Sequence, residues 1–325
     1  MSRDRLERHQ VWWYLAALLV GLGLGSRWDD ADRWVEPALW PLLALLLYAT
    51  FTQLPLGSLG AAFADRRFLV TALAGNFVVV PALVAALLPL TPDDPMLRFG
   101  LVLVLVVPCT DWFITFAQLG RADAVRATAF APVSLLVQLM LLPAYLWLLT
   151  DVDLGVVVPA REVWPAVLVV LVPLVLAVLT VRVGRGGAAG GPREAWVERL
   201  GWWPVPLLAT VILAVATANV GAVRGSLDVL AVVGLVAGAY LALALGAARL
   251  LATLVRLPLE QGRTLAFTMG TRNSFIVLPL ALALPAGWEI VPIVVVTQSL
   301  VELLAMIVYV WLVPQVVFAD RPASA

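Results

Sequence analysis

Apolar residues recur along this chain in blocks of about twenty, separated by short polar or arginine-bearing connections. A helix needs roughly 20 apolar residues to cross a hydrocarbon layer about 30 Å thick. That spacing predicts ten membrane-crossing helices, over residues 11–25, 35–52, 68–90, 98–118, 124–149, 161–181, 204–220, 228–255, 263–285 and 289–318. The fourth and ninth blocks are interrupted at their middles. Block four reads Val107-Pro108-Cys109-Thr110-Asp111, and block nine reads Gly270-Thr271-Arg272-Asn273-Ser274. Proline removes an amide donor, and polar side chains can satisfy backbone groups left open where a helix unwinds in lipid.

Ten spans make two halves of five, joined around Asp151 to Arg161. An odd count per half sends the second half into the membrane from the opposite side, the arithmetic of an inverted-topology repeat. Each half then has its fourth helix broken. Matching breaks in corresponding helices point to a binding site near the bilayer midplane and to a transporter. The predicted fold class is therefore an all-α membrane protein, a five-plus-five inverted repeat with two broken, crossing helices.

Arginine placement orients the chain. Fifteen arginines lie at the termini and even-numbered connections, against Arg27, Arg33, Arg98, Arg161 and Arg224 on the odd-numbered ones. The positive-inside rule puts both termini in the cytoplasm, in a plasma or inner membrane. Trp12, Trp13, Trp34, Trp202 and Trp311 fall near proposed span ends, as interfacial anchors do. Arg3, Arg5 and Arg8 ahead of an apolar run resemble a signal peptide, but no small-residue cleavage site follows, so the run reads as a retained first span. The stretch Gly184 to Pro192 reads as a flexible cytoplasmic linker; it lacks the Gly-Lys-Ser/Thr ending of a phosphate-binding loop.

Composition supports this picture and narrows the chemistry. The chain is 62% hydrophobic and 13% charged, with a mean hydropathy of +0.99, well outside the range of globular domains. Its net charge of zero gives no footprint for nucleic acid. All 21 basic residues are arginine. The single cysteine excludes an internal disulfide and any multi-cysteine cluster, and His9, the single histidine, reads as a solvated tail residue. No cofactor is expected.

Three charged residues stand out inside spans, away from the span ends: Asp111, Arg272 and Glu302. Charges at that depth are costly and therefore informative. Arg272 is expected either to form a buried ion pair with Asp111 across the two broken helices or to bind substrate, and Glu302 to be a protonatable coupling group. Cys109 reads as a small buried hydrophobe or, placed in a helix break beside Thr110 and Asp111, as a reactive thiol. Thr110, Asn273 and Ser274 complete the candidate substrate site. Asn76 and Asn219 read as interhelical hydrogen-bonding groups. Thr297, Gln298 and Ser299 lie a turn before Glu302. Pro81, Pro132, Pro143, Pro173 and Pro279 read as kinks.

The two broken helices together resemble the bile acid:sodium symporter superfamily, and within it the arsenite efflux permeases. The resemblance rests on Cys109 followed by Leu119-Gly120-Arg121-Ala122-Asp123, on Arg272-Asn273-Ser274-Phe275, and on Leu300-Val301-Glu302. It implies a core subdomain over about 68–149 plus 228–318 and a panel over about 11–52 plus 161–220. It also implies that Cys109 is a transient ligand of trivalent arsenic and Glu302, with Asp111, the proton-coupling partner. Arsenite or antimonite efflux conferring arsenic resistance follows, with a small metalloid substrate, protons and the bilayer as partners. The chain departs from that branch in having proline before Cys109 and Thr110-Asp111-Trp112 after it. It departs from the sodium-coupled branch too, carrying Thr268 and Arg272 where that branch has a glutamate and a glutamine. A guanidinium where sodium would sit argues against sodium coupling. The alternative is an organic-anion carrier in which Arg272 binds a carboxylate. An intramembrane enzyme is disfavoured, because no histidine lies in a span to serve a Cys109 nucleophile as base.

Overall fold

The computed structural model describes residues 10–28, 30–53, 64–110, 112–150, 152, 160–185, 196, 199–218, 220 and 227–319. His9, Asp111, Asn219 and residues 186–192 of the expected linker lie outside the described residues. The rest is helical: α1 (Gln10–Gly25), α2 (Ala31–Thr52), α3 (Arg66–Ala74), α4 (Val80–Leu87), α5 (Pro95–Leu105), α6 (Trp112–Leu119), α7 (Ala124–Leu149), α8 (Ala160–Arg185), α9 (Pro204–Ala218), α10 (Leu227–Leu254), α11 (Leu259–Gly270), α12 (Ser274–Leu282) and α13 (Ile290–Leu312). Helices suit lipid because they satisfy their own backbone groups. Among the described residues, 5 helical stretches are long and apolar enough to cross a membrane alone: Arg33–Thr52, Arg66–Leu90, Ala124–Leu149, Asp228–Leu254 and Ile290–Val317. Shorter apolar helices run over Trp12–Gly25, Pro95–Leu105, Leu168–Val183 and Pro204–Ala218. Blocks four and nine are each two helices, α5 with α6 and α11 with α12, interrupted where the polar residues fall.

The chain divides into two compact units. The first comprises Met1–Leu54, Asp153–Ala231 and Ser274–Leu300. Within it α9 packs on α1 and α2, α8 lies against α2, and α12 packs on both α8 and α2. Small residues set the closest approach, as is usual between helices in lipid. A Cβ on Gly25 would come within 2.3 Å of the Thr217 carbonyl oxygen, and one on Gly21 within 2.5 Å of that of Leu213. The Thr217 hydroxyl donates to the Gly21 carbonyl at 3.2 Å, fastening the pair.

The second unit comprises Pro55–Val152, Val232–Asn273 and Val301–Ala325. Between α3 and α4 the helix widens into a π-turn over Gly75–Val79. The Phe77 carbonyl in this turn accepts from the Tyr145 hydroxyl of α7 at 2.5 Å, and Pro81, just beyond it, has no N–H to offer. Capping carboxylates start three helices of this unit: Asp65 accepts from Phe68 N at 3.1 Å, Asp94 from Met96 N at 2.9 Å, and Asp123 from Arg126 N at 3.0 Å. The first and last are joined by one guanidinium, with Arg126 Nε 2.7 Å from Asp65 and Nη1 2.5 Å from Asp123. Gln261 Nε2 of α11 also donates to Asp65, at 2.8 Å. One carboxylate thus ties the ends of α3, α7 and α11 together.

The Phe68 amide, with Arg126 and Gln261 behind it, holds the Asp65 carboxyl below its usual range. A carboxyl so lowered adds stability above its unfolded pKa, and that stability is lost as pH falls through the folded value. Asp65→Ala should cost about 1–2 kcal/mol at neutral pH, as loss of a helix cap does. It should also flatten the acid limb of a melting-temperature profile of the purified protein between roughly pH 5 and 2. An acid limb as steep as that of the wild type would show that the carboxylate carries none of this linkage.

Candidate functional site

The site forms where two helices stop. α5 ends at Leu105, three residues before Pro108, whose ring disfavours helical backbone at Val107 and whose nitrogen has nothing to donate. α11 ends at Gly270, and Thr271 is extended, with φ −104° and ψ 141°. The two unwound stretches pair antiparallel at Pro108 and Arg272, the isolated bridge among the described residues. Cys109 N donates to the Thr271 carbonyl at 3.1 Å, and Asn273 N donates to the Val107 carbonyl at 2.8 Å. These bonds come from the neighbours, so Pro108 and Arg272 face each other as a non-hydrogen-bonded pair. That register explains how proline is accommodated, since no bridge bond needs its missing donor. It also frees the Arg272 amide, which donates to Glu302 Oε2 at 2.9 Å.

The Arg272 side chain is fully buried, with 0% exposure. Its guanidinium donates to the carbonyls of Leu105 at 3.2 Å, Thr268 at 2.8 Å and Met269 at 2.9 Å, and to Asn76 Oδ1 at 3.1 Å. The ring of Tyr240 lies 5.5 Å from it, in range for a cation–π contact. The three carbonyls belong to the last turns of α5 and α11, where helical carbonyls have no helical donor. The negative ends of two helix dipoles therefore converge on one cation. Asn76 is held for this role, donating to the Ala72 carbonyl at 3.0 Å and to Thr268 Oγ1 at 3.4 Å. Tyr240 Oη donates to the Met269 carbonyl at 2.6 Å.

Close approach depends on two glycines. A Cβ on Gly75 would meet Met269 Sδ at 2.8 Å, and one on Gly270 would meet the Tyr309 ring at 2.7 Å. Asn273 Nδ2 donates to Thr110 Oγ1 at 3.0 Å, a second link across the crossing. Cys109 is 1% exposed and Glu302 is 0% exposed.

The structure thus brings together Cys109, Thr110, Arg272, Asn273 and Glu302. Ser274 opens α12 in the other unit and hydrogen-bonds Ser299 there. The expected partner Asp111 lies outside the described residues; among the described residues the oxygens that hold the guanidinium are three carbonyls and an amide. Asn76 does bond between helices, as expected, but to Arg272 and Thr268. Its importance and that of Tyr240 escaped sequence reasoning. The one available signal was a Gly75-Asn76 pair inside an otherwise apolar span.

Asn76→Leu preserves size and removes one acceptor of a buried charge. It should destabilise the protein in detergent by about 1–3 kcal/mol. Arg272→Lys should be no milder, because an ammonium cannot present the planar fork that reaches carbonyls on two helices. Thermal denaturation of purified variants measures both. A wild-type melting temperature for Asn76→Leu would contradict the cage.

A protein-family model described as the Sodium Bile acid symporter family matches residues 40–226, more than half of the chain. No curated protein matches it. Apolar helices, paired helix breaks and this match agree, and the chain belongs to the sodium bile acid symporter family, whose members are multi-pass membrane transporters.

Proposed function

We propose that this protein is a ten-span secondary transporter, built as two inverted five-span repeats, that exports arsenite or antimonite in exchange for protons. Residues 68–149 and 228–318 would form its core, and 11–52 and 161–220 its panel. The observation that carries the proposal is the Arg272 cage. Three carbonyls and an amide oxygen are the kind of ligand set that holds a hard monovalent cation, and here a tethered guanidinium fills it. A sodium ion has no place among those oxygens while Arg272 occupies them. Coupling then falls to a group that can exchange a proton, and Glu302 stands in contact with the Arg272 amide. An inward proton gains about 2.3 kcal/mol per 100 mV of membrane potential.

Cys109 supports the substrate class. It is the chain's single thiol, and its own amide is part of the crossing. Soft sulfur prefers soft centres, and trivalent arsenic is one. The thiol would replace one hydroxide of the uncharged arsenic trihydroxide: an As–S bond forms, an As–O bond breaks, and the thiol proton leaves with the hydroxide as water. One such bond is reversible by the same water, whereas three would trap the metalloid. The family name favours a second reading, an organic anion paired with Arg272. The burial of the guanidinium and its four oxygen partners weigh against it.

Arsenite uptake into everted vesicles should collapse with a protonophore and be unchanged when choline replaces sodium. Cys109→Ser and Cys109→Ala should both abolish uptake at normal protein level, because each removes the sulfur and leaves the backbone crossing intact. Full uptake by Cys109→Ala would leave the organic-anion carrier as the better account.

A further inference from the structure

α7 carries Ser134 and Gln138 four residues apart, hence on one face of the helix. Ser134 is 0% exposed and Gln138 is 2% exposed. Among the described residues, Ser134 Oγ, Gln138 Nε2 and Gln138 Oε1 have no hydrogen-bond partner. More than about 90% of buried polar groups in native structures are paired. In a membrane helix the easy remedy for an idle serine is its own i−4 carbonyl. Ser134 does not use it, although Thr71, Thr210 and Thr271 elsewhere in this chain do. Both ends of the glutamine amide are idle as well. The neighbouring buried positions on the same helix, Ala131, Leu135 and Leu142, are apolar, so the two side chains interrupt a packed stripe.

Their place in the unit is equally specific. α7 packs against α5, α6 and α11, three of the helices whose ends form the crossing. Positions 134 and 138 lie near the middle of α7, between Ala124 and Leu149. α5 and α11 likewise stop part-way through their spans. The pair combines hydroxyl and amide, donors and acceptors without net charge. Such a set can both donate to and accept from a hydroxyl-bearing solute.

We infer that Ser134 and Gln138 form a hydrogen-bonding station for the transported solute, a molecule that both donates and accepts hydrogen bonds. The inference rests on the reading of the chain as an exporter of a neutral metalloid hydroxide. It adds a second contact point, on α7, apart from Cys109. The hydroxyls of such a solute would accept from the amide nitrogen and donate to the amide oxygen, while the serine completes the set.

Gln138→Leu separates the station from mere packing. Leucine fills the same space without idle polar atoms, so the variant should melt at or above the wild-type temperature under either account. As a station residue, its loss should raise the KM for arsenite in everted vesicles about tenfold, the effect of one lost hydrogen-bonding group. Wild-type KM in a more stable Gln138→Leu protein would overturn the inference. A second arm needs no choice of substrate. Cys109→Ala gives a cysteine-free chain, into which Gln138→Cys or Leu136→Cys is introduced. Position 138 should react with a membrane-impermeant thiol reagent from at least one side of the membrane. Position 136, on the exposed face at 53%, should not. Absence of labelling at 138 from both sides would overturn the station. Labelling at 138 with no arsenite transport by the wild type would instead sink the arsenite reading and leave the station in place.

Discussion

A guanidinium shut away from water sets the terms for the second unit. Desolvating a charge in an apolar interior costs several kcal/mol unless oxygens replace the lost water. Regular helices in lipid have few to offer, because each carbonyl is already committed to its own ladder. Helix ends are the exception. Stopping α5 at Leu105 and α11 at Gly270 releases carbonyls in both last turns, and Arg272 collects three of them. The breaks and the buried cation are therefore one arrangement. The open ends supply the oxygens, and the guanidinium would be untenable without them.

The remaining features of the crossing follow from that arrangement. Arg272 can turn its side chain into the cage because its backbone lies in the non-hydrogen-bonded position of the bridge. The same position leaves its amide for Glu302. Pro108 opposite it ends one helix while withholding no bond the bridge requires. Gly75 and Gly270 admit Met269 and Tyr309 at distances a Cβ would forbid. At the far end of α11, Asp65, Arg126 and Gln261 tie that helix to α3 and α7. The helix that carries the site is thus fixed at both ends.

Much of this was legible from residue pattern, and what was not has a physical cause. Length and apolarity located the helices, and Pro108 and the Gly270–Ser274 run located both breaks. Cys109, Arg272, Asn273 and Glu302 stood out because polar and reactive groups are scarce in lipid. The partners of Arg272 did not stand out. Asp111, the carboxylate the sequence offers, lies outside the described residues, and three of the oxygens around the guanidinium are main-chain and have no signature in the letters. Asn76 is 196 positions away in sequence, and the Gly75-Asn76 pair that marks it as an interhelical group does not say which residue it holds. The Tyr145 bond to Phe77 was hidden for the same reason, its acceptor being a main-chain carbonyl.

The account turns on whether a tethered cation occupies a site that would otherwise take a free one. Melting of the purified protein in sodium chloride and in choline chloride at equal ionic strength tests this directly, since a ligand that binds only the folded state raises its stability. The wild type should melt at the same temperature in both salts. Arg272→Ala, with the oxygen cage vacated, should melt lower overall yet gain stability with rising sodium. A wild type stabilised by sodium would contradict the account, because no ion can enter a cage that the guanidinium already fills.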